Sequence, residues 1–124
     1  MKRLILPLII LFVWSNLYAQ GRIIKVPADQ STIQAGIDSS VDGDTVLVVD
    51  GTYLENISFN GKAITVASHL AKDNDTNHIN NTIISAHSGT IVQFDYGEDT
   101  NSVLYGFTIT GGKGSFDPYG YGTM

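Results

Sequence analysis

From residue 45 to residue 110 the sequence is a succession of short β-branched runs divided by Gly or Asn, and this pattern constrains the fold more than any other feature. β-Branched side chains suit a pleated strand, while Gly, Asn and Asp supply the backbone angles of tight turns. The run Thr45-Val46-Leu47-Val48-Val49 does not alternate, which predicts a parallel strand covered on both faces. Residues 56–59 and 63–68 alternate, and Asp50-Gly51 and Asn60-Gly61 read as turns. Further strands are expected at 82–85, 90–94 and 102–110. Residues 69–80 show no apolar periodicity and read as a loop, and no helix is expected after Val41. Short hairpins in a sandwich give a similar pattern. Uniform strand lengths, recurring openings at Thr45, Thr82 and Thr90, and scarce proline favour a solenoid instead. A three-strand coil takes roughly 20 residues or more, so two to three coils fit.

A solenoid needs a covered end, and one helix is available for it. Ser31-Thr32-Ile33-Gln34 fits a capping box, with Ser31 as the cap and Gln34 reaching back. Ile33, Ile37 and Val41 then form one apolar stripe, and Asp42-Gly43-Asp44 supplies the stop. Before the helix, Ile23-Ile24-Lys25-Val26 reads as a short strand stopped by Pro27.

Residues 1–19 have the order of an export signal: basic Lys2 and Arg3, an apolar run from Leu4 to Trp14, then a polar stretch ending in Ala19. The run is too short to span a bilayer, which takes roughly 20 residues. A secreted or cell-surface location is therefore expected, with membrane contact only through the leader during export. There is no Cys, which excludes disulfides, thiolate metal sites and a Cys nucleophile. With 7 Lys+Arg against 12 Asp+Glu, a nucleic-acid partner is not expected, because phosphate binding needs a basic face.

The order Val26-Pro27, Ser31-Thr32-Ile33-Gln34, Asp42-Gly43-Asp44-Thr45-Val46, Gly51-Thr52-Tyr53-Leu54-Glu55-Asn56-Ile57, Gly61-Lys62-Ala63-Ile64-Thr65 resembles the start of secreted proteins of the pectin-lyase-like superfamily. The stretch 102–112 is similar to their next landmark. The resemblance implies an all-β, right-handed parallel β-helix, of which residues 20–124 would be the N-terminal part, truncated after its first coils. It spans members with unrelated activities. It therefore implies either a non-catalytic scaffold that contacts a polysaccharide or cell-surface glycan, or the front end of a polysaccharide-active enzyme. In the second case the enzyme would be pectate-lyase-like or pectin-methylesterase-like, with its catalytic coils elsewhere.

No catalytic residue is expected in this chain. Tyr53 and Glu55 match the G-x-Y-x-E turn of the pectin methylesterase branch, where the resemblance places catalytic aspartates on later coils; Glu55 is expected to tie down a turn. Asp73, Asp75 and Asn77 are calcium candidates, since oxygen ligands at alternate positions suit that ion. Position six of an EF-hand loop would be His78 rather than Gly, so the motif is not that one. Asp95, Glu98 and Asp99 form a second acidic turn. His69, His78 and His87 recur every nine residues, which brings them together on no regular element, and they read as loop residues. Tyr105, Phe116, Tyr119 and Tyr121 form a late aromatic group able to stack on sugars. No resident cofactor is expected.

Overall fold

A computed structural model of the chain describes residues 20–113. Residues 1–19, where an export signal is expected, and Phe116, Tyr119 and Tyr121 lie outside the described residues. The elements run β1 (Ile23–Val26), α1 (Ile33–Ser39), β2 (Thr45–Val48), β3 (Gly51–Leu54), β4 (Ile57–Ser58), β5 (Thr65–Ser68), α2 (Leu70–Asp73), α3 (Asn77–Asn81), β6 (Thr82–Ser85), β7 (Val92–Gln93), β8 (Val103–Tyr105) and β9 (Thr108–Thr110).

The strands form three parallel sheets, ordered β1-β2-β5-β8, β3-β6-β9 and β4-β7. From β2 onward the chain visits the three sheets in turn and then returns to the first, so each strand pairs with the one a circuit later. Thr45 pairs with Thr65, and Thr65 with Val103. The turn between β4 and β5 follows its sequence. Asn60 (φ 54°) and Gly61 (φ 75°) both take positive angles, and Lys62 N–H donates to Phe59 O at 3.0 Å. Those are the angles for which Asn-Gly is preferred.

Stacking of like on like builds the core. Ile24, Val46 and Val66 occupy successive rungs of the first sheet, as do Val26 and Val48, and all are buried. Ile57, Phe59, Ile64, Ile84 and Ile91 close the interior. Phe59 stacks on Phe94 with ring centroids 4.3 Å apart.

α1 covers the first rung, with Ile33 and Ile37 buried. Its cap is Thr32 rather than Ser31: the Thr32 hydroxyl accepts from Ala35 N–H at 3.0 Å. The apolar stripe also ends sooner than its spacing implied. Val41 is 61% exposed, because the helix stops at Ser39 and the chain turns away to bring Asp44 inward. Asp44 is buried against Arg22, whose guanidinium lies 2.8 Å from its carboxylate, and it also accepts from the N–H groups of Arg22 and Val41.

Two further expectations are corrected. Residues 69–80 are not a plain loop: they hold α2 and most of α3, helical turns too short to show an apolar period. Nor is β2 covered on both faces. Val46 and Val48 point inward, whereas Thr45 and Leu47 stay half-buried on an open outer face. Among the described residues no helix is long and apolar enough to cross a membrane.

Candidate functional site

The outer face of the first sheet carries a groove of about 450 Å³. Alternation along parallel strands in register puts its floor together: Ile23 and Lys25 from β1, Thr45 and Leu47 from β2, Thr65 and Ala67 from β5. Ala71 and Lys72 of α2 form a wall. The lining is mainly apolar, with threonine hydroxyls and two ammonium groups. It contains no carboxylate.

The cations of this acidic chain are unevenly used. Arg22 is bound to Asp44. Lys62 donates to the carbonyls of Ile37, Asp38 and Ser40 at 2.7, 2.9 and 2.8 Å, closing the C-terminal end of α1. Lys25 and Lys72 are exposed, and among the described residues neither ammonium has an ion-pair partner. Both border the groove. Arg22, Lys25, Lys62, Lys72 and Lys113 are the Lys and Arg residues beyond position 19, so two of the few cations there border the groove.

The wall is fastened from behind. His78 Nδ1 lies 2.5 Å from Asp50 Oδ1, in the β2–β3 turn, and His78 Nε2 lies 3.0 Å from Asp73 Oδ2, at the end of α2. A neutral imidazole has one N–H, so two carboxylate partners are both satisfied only by the imidazolium. Asp73 and Asp50 accordingly hold the His78 pKa above its usual value. In return His78 lowers that of Asp50, and the Asp75 N–H and His78 lower that of Asp73. The Thr82 hydroxyl donates to Asp50 at 3.2 Å. His69 packs edge-on against His78 at 5.8 Å between centroids, so α2 and α3 unite two histidines that the nine-residue spacing had kept apart. His87 is exposed.

The calcium candidates have internal partners. Asp73 Oδ1 accepts from Asp75 N–H at 2.9 Å, Asp75 Oδ1 accepts from Asn77 N–H at 3.0 Å, and the other Asp73 oxygen faces His78. In the second acidic turn, Glu98 accepts from Gly61 and Tyr96 N–H, and Asp99 from Asn101 N–H. Among the described residues no group of three or more His, Asp or Glu side chains is arranged to hold a metal ion. Glu55 accepts from Ile33 and Gln34 N–H at 2.9 and 3.0 Å, which ties the turn after β3 to the start of α1. Tyr105 is exposed on the rung of the first sheet beyond Ala67.

The groove is what the sequence reading missed. Lys25 and Lys72 are 47 residues apart, and neither carries a local motif. The available signal was subtractive: few Lys and Arg residues lie beyond position 19, and of the two at the groove Lys25 falls in an expected strand and Lys72 in an expected loop. No family model matches the chain, and comparisons with curated proteins and with solved structures give no match.

Proposed function

We propose that this chain is an exported, non-catalytic scaffold, the capped N-terminal part of a right-handed parallel β-helix, whose first-sheet groove binds an anionic polysaccharide or cell-surface glycan. The observation that carries the binding reading is the placement of Lys25 and Lys72 beside one groove in a chain with an excess of acidic groups. Carboxylates spaced along a polyuronate can pair with the two ammonium groups. Thr45 and Thr65 can exchange hydrogen bonds with sugar hydroxyls, and the apolar floor can receive the C–H faces of the rings. The cyclic visiting of three parallel sheets and the helix over the first rung support the scaffold reading. The leader-like segment 1–19 supports export.

The test is equilibrium binding of the full chain to oligogalacturonate and to a neutral oligosaccharide of equal length. The expected result is binding of the acidic glycan only, weakened by salt and lost in the Lys25→Gln/Lys72→Gln double variant. Equal binding of the neutral glycan, or full affinity in the double variant, would contradict the reading. Release of unsaturated products from pectate by the purified chain would contradict the non-catalytic part.

A further inference from the structure

Lys72 borders the groove while the next residue, Asp73, is held by His78. α2 is only four residues long, and its own backbone bonds are few: Lys72 and Asp73 N–H donate to His69 O at 2.8 and 3.2 Å, and Asn74 N–H to Leu70 O at 3.0 Å. A helical turn of this length is not stable by itself. Leu70 anchors one side of it in the core. On the other side, the Asp73–His78 contact ties it to α3, and the His78–Asp50 contact ties α3 to the first circuit. α3 is held independently to β9, through Thr108 Oγ1 donating to Ile79 O at 2.7 Å.

We propose that Asp50, His78 and Asp73 form a proton-dependent latch on the groove wall: imidazolium His78 holds α2, with Lys72, against the groove, and loss of its proton releases α2 and weakens anionic glycan binding. This rests on the reading of the groove as the binding site. The chemistry is one of donor count. Neutral His78 can donate to one carboxylate only, so a ring lone pair then faces the other. Its position between two acids raises its affinity for the proton. The latch is therefore closed in mildly acidic solution and opens as pH rises through the His78 titration.

The charged and titratable groups around His78 are few. Asp50 faces it from the β2–β3 turn, Asp73 from α2, and His69 from the residue before α2, while Lys72 and Asp75 lie on either side of Asp73. β6 and β9, which pack against α3, contain no ionisable side chain, and the rest of α3 is Asn and Ile. The range from about pH 5.5 to 9 spans the ordinary histidine value near 6.5 and the region above it, into which His78 is raised.

The experiment follows three readouts on the full chain across that pH range, with EDTA present. They are the His78 ring nitrogen shifts, the exchange protection of the Lys72, Asp73 and Asn74 amides corrected for the intrinsic pH dependence of exchange, and the affinity for oligogalacturonate. Protection and affinity are expected to fall several-fold in step with the His78 titration. In His78→Gln, whose side chain does not titrate, the step should vanish. Asp73→Asn retains an acceptor for Asp75 N–H but not the charge, and should move the step to lower pH. His69→Gln should leave a step in place. Protection that stays constant through the His78 titration, or a step that persists in His78→Gln, overturns the latch. Absence of glycan binding at every pH, with the protection step intact, instead refutes the groove reading and the coupling to it.

Discussion

Gln34 and Ser58 pair through a side-chain amide that stands in for a missing strand. Ser58 N–H donates to Gln34 Oε1 at 2.8 Å, and Gln34 Nε2 donates back to Ser58 O at 3.2 Å. β4 pairs with β7 on one edge, and the Gln34 amide occupies the other. An open edge is a template for unwanted pairing, so α1 closes the third sheet with a side chain while covering the core with Ile33 and Ile37.

Gln34→Leu keeps the helix propensity and removes both bonds. It leaves the Ser58 N–H without its partner, and a loss of about 1–2 kcal/mol is expected. Urea midpoints of the two chains measure it. Self-association should increase at the same time, seen as a concentration-dependent sedimentation coefficient.

Both ends of α1 are held by charges from the first circuit. Glu55 binds N–H groups at its start and Lys62 binds carbonyls at its end, each complementing the helix dipole. Glu55→Ala and Lys62→Met should each cost about 1–3 kcal/mol, since the bonds are charge-assisted. Denaturant titration of both variants checks this, and an unchanged midpoint in either would show that the cap docks without that clamp.

These two residues show how much of the fold was legible. Glu55 was readable as a turn fastener, and Gly51-Thr52-Tyr53-Leu54-Glu55 and Gly61-Lys62 stood out as a pattern. Their partners lie 21 to 25 positions earlier, a distance that no local period reports. Asn60-Gly61 was legible because turn angles select residues locally, and Thr45 and Thr65 proved to be adjacent rungs of one ladder. The helical turns α2 and α3 were not legible, because four or five residues cannot display an amphipathic repeat. The His78 clamp therefore stayed hidden, along with the groove wall it supports.

Gly36 lies inside α1, where alanine would ordinarily gain about 1 kcal/mol. A Cβ there would meet Val46 Cγ1 at 2.7 Å and Val26 Cγ2 at 3.2 Å. Both are methyl groups of a packed core, where overpacking costs about 1–3 kcal/mol, so the clash should win. Gly36→Ala is expected to lower the melting temperature, and a rise would mean that the helix can lift off the first rung without cost.

The buried Asp44 governs acid stability. Hydrogen bonds from the Arg22 side chain, and then from the Val41 and Arg22 N–H groups, lower its pKa from 3.8 to about 2. A depressed carboxylate contributes stability that is fully present above its unfolded value and lost as pH falls through its folded one. Wild type should therefore lose stability between pH 3.8 and about 2. Asp44→Asn should be less stable at pH 7 and show a flatter slope in that window. Equal slopes would remove Asp44 from the acid transition.

The most direct test of the groove assignment is a titration of oligogalacturonate into the ¹⁵N-labelled full chain, followed residue by residue. The amides of Lys25, Thr45, Leu47, Thr65, Ala67 and Lys72 should shift together and saturate with one dissociation constant, while Ile57 and Phe59 stay in place. Shifts confined to other surfaces, or none at all, would contradict a binding site on the first sheet.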